Sequence, residues 1–120
     1  MKSVFIAGSR KFFQEIEQLV QLLKQSNIAV ATSGKWESTQ KDNLENQKAA
    51  LLRAFKEIDN SDIIYILANN KYIGKTVAME IAYAYAKNKT IISSQEIEEL
   101  SARSLIPHTL DKEQLIKFCK

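Results

Sequence analysis

One glutamate stands alone in an otherwise uncharged stretch of the sequence. Among the ten residues 77–86, Glu80 is the only charged one. An ionised carboxylate in apolar surroundings costs several kcal/mol unless a cation or hydrogen-bond donors accompany it. As a carboxylate kept in apolar surroundings, Glu80 is a candidate nucleophile of the kind that attacks the anomeric carbon of a sugar. The alternative is a structural glutamate paired with a lysine or arginine of a neighbouring element or of a second subunit.

The three residues that directly follow the first apolar run are of types that suit ligand binding. Gly8 would let the backbone approach a ligand, Ser9 would cap the next helix, and Arg10 would bind a phosphate or carboxylate. The less specific interpretation is a tight turn with a helix cap and a solvated arginine. The sequence leaves both open.

The loop after the strongest apolar run is the predicted opposite wall of the same site. Its predicted substrate-binding residues are Asn69, Gly74 and Thr76. Gly74-Lys75-Thr76 also looks like the end of a phosphate-binding P-loop, but that motif requires glycine where this chain has Asn69. No later predicted strand ends in an acid that would hold magnesium, so a degenerate P-loop is a remote alternative.

Trp36, the single tryptophan, lies in a polar loop after the second predicted strand. One interpretation is a lid that stacks on a planar base, because aromatic faces stack well on nucleobases. The other, which we favour, is an anchor that holds this loop to the body of the protein. Trp36 is therefore a candidate substrate-binding residue with a structural alternative.

The spacing of apolar residues predicts strands that alternate with helices. Strands are expected at residues 4–7, 28–31, 62–68 and 90–92, with weaker support for a fifth around Leu105-Ile106. Such alternation predicts parallel strands joined by right-handed crossovers. We therefore expect a Rossmann-like or flavodoxin-like parallel sheet of four or five strands, ordered 2-1-3-4(-5), with helices on both faces.

Three helix starts have the spacing of a capping box, in which a short polar side chain is followed three residues later by Glu or Gln. The predicted pairs are Asp42 with Glu45, Ser93 with Glu96, and Asp111 with Gln114. The first helix is expected over residues 11–25.

Length and composition exclude several classes of protein. The length of 120 residues predicts one domain, 1–120, and 17 basic against 14 acidic residues, mixed along the chain, give no nucleic-acid footprint. The uncharged runs are too short to cross a membrane. One cysteine, Cys119, and one histidine, His108, exclude an internal disulfide and an all-His/Cys zinc site, and as a nucleophile pair they are more often inert. We expect a cytoplasmic protein without metal or cofactor.

The stretch NSDIIYILANNKYIGKTVAMEIAYAYAKNKTII resembles the central segment of the nucleoside 2-deoxyribosyltransferase superfamily, which includes deoxynucleoside monophosphate N-hydrolase-like proteins. The shared features are the strand that begins at Asp62, Glu80 in MEIAYA, and a turn at Asn88-Lys89 before the next strand. VFIAGSR at the start is similar to the opening strand and glycine turn of that superfamily.

The resemblance implies cleavage or transfer at the N-glycosidic bond of a 2-deoxynucleoside or its 5′-monophosphate. Glu80 would attack the deoxyribose, and Ser9 and Arg10 would contact a phosphate. A small-molecule nucleoside or nucleotide is thus the expected ligand, and a homodimer or larger homo-oligomer the expected assembly.

Two departures favour a second hypothesis, a non-catalytic binder or sensor of nucleotides on the same fold. Where the superfamily has an aspartate that protonates the leaving base, this chain has Ala54, and where it has a tyrosine on the first strand, this chain has Phe5. Proton donation is typically worth about 10²–10⁴-fold in rate. Tyr72 and Tyr83 are the candidate substitutes.

Overall fold

The computed structural model describes residues 1–33 and 43–120, in which five strands form one sheet. The strands are β1 Val4–Gly8, β2 Val30–Ala31, β3 Ile63–Leu67, β4 Thr90–Ser93 and β5 His108–Thr109. The helices of these residues are α1 Phe13–Gln25, α2 Leu44–Asp59, α3 Lys75–Ala86, α4 Leu100–Arg103 and α5 Lys112–Cys119, with a 3₁₀ turn Arg10–Phe12 before α1.

The sheet order is β2-β1-β3-β4-β5, and each neighbouring pair of the described strands is parallel. The predicted architecture and strand order are therefore confirmed. The order reverses between β1 and β3, where Phe5 lies opposite Ile64 and Gly8 opposite Leu67. A ligand of such a sheet binds beyond the carboxyl ends of these two strands.

Alternate residues of the central strands belong to two separate hydrophobic layers, because successive side chains of a strand point to opposite faces of the sheet. On one face Phe5, Ala7, Ile64 and Ile66 pack with residues of α2, α3 and α4. We call this layer the α2–α3 layer. On the other face, the α1–α5 layer, the neighbouring strand residues, among them Tyr65, pack with α1 and α5.

The edges of the sheet differ from the sequence-based expectation. The second strand is confined to Val30–Ala31 instead of 28–31. The fifth strand is His108–Thr109 and not Leu105-Ile106, so that prediction was wrong. Proline has no N–H to donate to a neighbouring strand, and pairing starts only after Pro107. The backbone N–H groups of Leu105 and Ile106 donate instead to Ala102 and Arg103 in the turn that ends α4.

Two of the predicted helix caps were wrong. Ser93 ends strand β4, and its hydroxyl donates to the Gln95 carbonyl at 2.7 Å. Helix α4 starts later, with the Glu99 carboxylate as its cap. The cap of α2 is Asn43, whose side chain accepts from the Asn46 N–H at 2.9 Å, while the predicted cap, Asp42, lies outside the described residues.

The capping box at the last helix is confirmed. The Asp111 carboxylate accepts from the Gln114 N–H, and the Gln114 side chain accepts from the Asp111 N–H. The first predicted helix, 11–25, is a 3₁₀ turn followed by α1.

None of the helices within residues 1–33 and 43–120 has the length and hydrophobicity that a membrane crossing requires.

The central strand, β3, is tied to the segment between β5 and α5 by one buried phenol. Tyr65 is 1% exposed, and its hydroxyl donates to the Leu110 carbonyl at 2.9 Å. We expect Tyr65→Phe to lower the free energy of unfolding by about 1–2 kcal/mol, because a part-buried carbonyl loses its donor. Tyr72→Phe, at a 43% exposed tyrosine, is the matched control and should change it by less than about 0.5 kcal/mol. Urea unfolding at pH 7 measures both, and equal losses would contradict this account.

Candidate functional site

Glu80 lies on the inner face of helix α3. The buried residues of α3 are Val77, Glu80, Ile81 and Ala84, which share one side of the helix at three- and four-residue spacing. Glu80 is 5% exposed. Its apolar companions on this face belong to the α2–α3 layer with Phe5 and Ala54. The carboxyl group of Glu80 is therefore placed among apolar side chains, as the sequence predicted.

Burial controls the ionisation of Glu80. Loss of hydration disfavours the charged form and raises the pKa of Glu80 to about 7 from an ordinary value of 4.5. Glu80 is about one and a half turns inside the helix, and the helix dipole acts mainly within the first turn. The dipole consequently does not offset the burial, and both protonation states are populated near neutral pH.

The structural alternative for Glu80 needs a partner, and the described residues supply none. The ion pairs within residues 1–33 and 43–120 join Lys87 to Asp59 and Arg103 to Glu96. No side-chain oxygen in this part of the chain is both fully buried and without a hydrogen bond. The Glu80 carboxyl group thus keeps a narrow opening to solvent. A partner from a second subunit remains the other interpretation.

The two predicted walls of the binding site meet at the carboxyl edge of the sheet. The Lys11 ammonium lies 3.7 Å from the centre of the Tyr72 ring, and the Phe12 ring packs edge-on against Tyr72 at 6.3 Å between centroids. The Asn69 side chain donates to the Glu15 carboxylate at 3.1 Å. These contacts bring the loop after β1 and the loop after β3 together, as the sheet order requires.

The residues predicted for the first wall have partly structural roles. A Cβ added to Gly8 would lie 3.0 Å from Ile16 Cδ1 and 3.3 Å from the Leu67 carbonyl oxygen, so glycine lets α1 pack closely on the sheet. The Ser9 side chain does not cap the helix, which corrects that prediction. Its carbonyl accepts from the Phe12 N–H at 2.9 Å instead. Arg10 is exposed at the start of the 3₁₀ turn.

The predicted second wall has more room for a ligand. A Cβ on Gly74 would meet only the Tyr72 hydroxyl, at 3.9 Å, and Gly74 is the cap residue of α3. Thr76 is exposed in the first turn of that helix. Trp36, the remaining candidate, lies outside the described residues.

The turn before Gly74 does not favour the P-loop alternative. A P-loop leaves its N–H groups free to bind phosphate. Here the Lys71 N–H donates to the Gln95 side chain at 3.0 Å, and the Tyr72 N–H donates to the Asn69 carbonyl at 3.1 Å. Asn70 and Lys71 both have positive φ, 54° and 61°, which tightens the turn.

The two candidate proton donors lie at opposite edges of the sheet. The Tyr83 hydroxyl donates to the Asp59 carboxylate at 2.8 Å, and Asp59 ends α2 just before the amino edge of β3. Tyr72 lies in the loop at the carboxyl edge. Only Tyr72 of the pair is therefore at the edge where the sequence predicts a ligand. Ala54 and Phe5 are both 0% exposed and have no ionisable group.

The positive charge of the carboxyl edge comes from residues that are distant in the sequence. Arg10 and Lys11 follow β1, while Lys71 and Lys75 follow β3, and all four are exposed. Their convergence is visible in the sequence only after the two strands are placed side by side. Such a cluster favours an anionic ligand. Among residues 1–33 and 43–120 no group of three or more His, Cys, Asp or Glu is arranged to hold a metal ion.

A groove of about 690 Å³ opens on the other face of the sheet, between α1 and α5. Its floor includes Leu19 and Leu67, and Glu15, Asp111 and Glu113 contribute to its rim. Glu80 belongs to the opposite layer, so the groove does not contain it. We place the candidate chemistry at Glu80, because volume alone does not provide a reactive group.

Solved structures share this arrangement across nearly the whole chain. A conserved protein from Enterococcus faecalis V583 superposes with a TM-score of 0.73 at 17% identity, covering 98% of this chain and 96% of that one. The 2-deoxyribosyltransferase of Bacillus psychrosaccharolyticus gives 0.73 at 15% identity, with 95% and 90% covered. The CMP N-glycosidase BcmB of Clostridium botulinum gives 0.59 at 16%, with 98% and 96% covered. No protein-family profile and no curated protein matches the sequence.

The chain has the fold of the nucleoside 2-deoxyribosyltransferases. The resemblance seen around Glu80 in the sequence is thereby confirmed at the level of the fold. At identities of 15–17% the similarity shows the fold, that is, the sheet order and the helix positions. The chemistry has to be inferred from the residues of this chain.

The burial of Glu80 predicts a stability that depends on pH. Between pH 4.5 and about 7 the folded state binds this proton more tightly than the unfolded state, so the free energy of unfolding falls as pH rises. Glu80→Gln removes this titration. The free energy of unfolding of the variant, relative to that of the wild type, should therefore increase by up to roughly 3 kcal/mol between pH 4.5 and pH 8.

Urea unfolding at several pH values measures this difference. Glu17→Gln, at an exposed glutamate of α1, is the control and should track the wild type throughout. A Glu80→Gln difference that stays constant with pH would show that the carboxyl group titrates as if in water.

Proposed function

We propose that this protein cleaves or transfers at the N-glycosidic bond of a 2-deoxynucleoside or its 5′-monophosphate, with Glu80 as the nucleophile. The observation that carries the proposal is a carboxyl group 5% exposed on an apolar helix face, with no ion-pair partner in the described residues. Two structures of the same fold are named as a 2-deoxyribosyltransferase and a CMP N-glycosidase, which supports this choice of bond.

In the proposed reaction the Glu80 carboxylate attacks the anomeric carbon of the sugar. A bond forms between carbon and carboxylate oxygen, the bond to the base nitrogen breaks, and its electron pair leaves with the base. Water or a second base then displaces Glu80 from the sugar. Only the ionised form of Glu80 attacks, and partial desolvation makes that form more reactive.

The leaving base needs a proton, and neither Ala54 nor Phe5 supplies one. Tyr72 is the hydroxyl-bearing candidate at the carboxyl edge, in contact with Lys11. Its hydroxyl or a water molecule would protonate the base. This arrangement provides weaker acid assistance than a carboxylic acid, so we expect a slow enzyme.

The positive charge at the carboxyl edge favours a phosphorylated substrate. Arg10 and Lys11 follow β1, and Lys71 and Lys75 follow β3, the two strands that flank the switch point. Phosphate oxygens would interact with these side chains and with the N-terminal N–H groups of α3. A 5′-monophosphate is thus preferred over the nucleoside within this proposal.

Base release tests the proposed reaction directly. The protein is incubated with a panel of deoxynucleosides, their 5′-monophosphates and CMP, and free base is quantified by chromatography. Glu80→Gln should lower the rate by at least about 10³-fold, because an amide cannot form the glycosyl-enzyme. Glu17→Gln is the matched control and should retain the wild-type rate. Base release that survives in Glu80→Gln would refute the nucleophile assignment.

The pH dependence of the reaction tests the state of Glu80. With its pKa at about 7, kcat/KM should rise about tenfold per pH unit below that value and become constant above it. A deoxynucleoside is the substrate for this measurement, since a monophosphate titrates in the same range. A rate that falls as pH rises from 5 to 8 would assign Glu80 as an acid instead of a nucleophile.

A non-catalytic nucleotide binder is the second candidate, favoured by one observation. Ala54 and Phe5, at the positions where the resemblance has Asp and Tyr, are both wholly buried and apolar. In a binder, Glu80 would accept hydrogen bonds from sugar hydroxyls. Thermal stabilisation by a member of the panel, without release of base, would select this function.

A further inference from the structure

The groove of about 690 Å³ between α1 and α5 has an apolar floor. Leu19 and Leu22 of α1 line it, together with Tyr65, Leu67 and Ala68 from the end of β3 and the residue after it. Leu22 and Leu67 are only half-buried, so part of this apolar surface is open to a ligand. The volume lies within the range of about 300–1,000 Å³ that is usual for small-molecule sites. We call this feature the α1–α5 groove.

The α1–α5 groove is elongated along helix α1. Its lining on that helix starts at Glu15 and ends at Gln25, a length of about 15 Å at a rise of about 1.5 Å per residue. Between these ends, Gln18 and Gln21 add amide groups, and Gln95 adds another from the loop after β4. Such a groove suits an extended ligand in which polar groups alternate with apolar segments.

The charged side chains of the groove are mainly acidic. Glu15, Asp111 and Glu113 line it, and Lys112 is the one cation among the described residues that do so. This is a local excess of negative charge, because the chain as a whole carries a formal net charge of +3. The positive charge described above belongs to the loops after β1 and β3, outside the lining of the groove. The groove therefore favours a cation.

The negative charge of the rim also acts on the floor of the groove. Burial raises the pKa of the Tyr65 hydroxyl, and the charges of Asp111 and Glu113 raise it further. These two carboxylates consequently lie near enough to the floor to attract a cation that is placed there.

Two of the rim carboxylates have room for further hydrogen-bond donors. Glu15 accepts from the Asn69 side chain at 3.1 Å, and Asp111 accepts from the Gln114 N–H at 2.8 Å. An ionised carboxylate has about four acceptor positions, and an ammonium group donates hydrogen bonds and accepts none. Both carboxylates can therefore accept from an ammonium group without losing the bonds that they already make.

We propose that the α1–α5 groove binds a linear aliphatic polyamine. The methylene segments of the ligand lie on the leucine floor, its terminal ammonium groups interact with the acidic rim, and its inner amino groups donate to the glutamine side chains. The groove lies on the opposite face of the sheet from Glu80. This binding site therefore goes beyond the proposed function and does not rest on it.

Ligands that differ in one property at a time test the proposed chemistry. Calorimetric titration of the full chain at low ionic strength uses spermidine, diaminopropane and diaminooctane, the two diamines having an amino group at each end. Diaminooctane should bind at least about tenfold more tightly than diaminopropane, because its additional methylene groups leave water for the leucine floor. Octanedioate, which has the same chain length and the opposite charge, should not bind.

Neutralising the rim tests the location of the site. Glu15→Gln combined with Glu113→Gln should raise the Kd of spermidine at least about fivefold, because two charge partners are lost. Glutamine at position 15 can still accept from Asn69, and circular dichroism should be unchanged. The matched control combines Glu17→Gln, on α1 outside the lining, with Glu45→Gln, in the first turn of α2 as Glu113 is in that of α5. It alters the net charge equally and should change Kd by less than about twofold.

Several results would overturn the proposal. They are equal affinity for the two diamines, binding of octanedioate, a Kd that the rim variant leaves unchanged or that the control raises as much, and no binding of any of the three amines. Binding of an oligolysine peptide without binding of the free amines would also overturn it, and would assign the groove to a basic segment of another protein. All these titrations are made without a nucleoside or nucleotide, so they do not depend on whether base is released.

Discussion

The cost of a carboxylate in an apolar layer is the constraint on which the candidate site depends. Glu80 is the charged residue of an otherwise apolar helix segment, and its side chain points to the sheet and not to solvent. Burial of this kind raises the pKa of the carboxyl group to about 7. A carboxyl group with a pKa shifted in this way is a candidate for a chemical role.

The fold separates two regions that are both open to ligands in principle. Glu80 lies on the side of the α2–α3 layer, while the groove of about 690 Å³ lies on the side of the α1–α5 layer. The loops after β1 and β3 connect the two at the carboxyl edge through Lys11, Phe12 and Tyr72. Helix α3 therefore combines three features: a cap at the carboxyl edge of the sheet, a buried carboxyl group on its inner side, and an apolar outer side.

Structural similarity to nucleoside-processing enzymes has a specific limit in this chain. The sheet order and helix positions are shared, yet Ala54 and Phe5 remove two polar groups that the resemblance would place near Glu80. Both residues are packed in the hydrophobic layer, where any replacement by a polar group would also have to be accommodated. Activity and fold are thus separable properties of this scaffold.

The sequence by itself determined the alternation of strands with helices and the isolation of Glu80, because both follow from the spacing of apolar residues along the chain. The strand order and the helices on both faces were expected from the fold class that this alternation predicts. The sequence also identified the cap at Asp111. The tertiary structure alone decided that Ser93, which has the same capping-box spacing as Asp111, belongs to a strand. It also decided that the pairing of the last strand begins only after Pro107. It also decided that Tyr72, and not Tyr83, lies at the carboxyl edge of the sheet. Local patterns report what a segment can form, whereas hydrogen bonds and packing between distant segments select which possibility is realised.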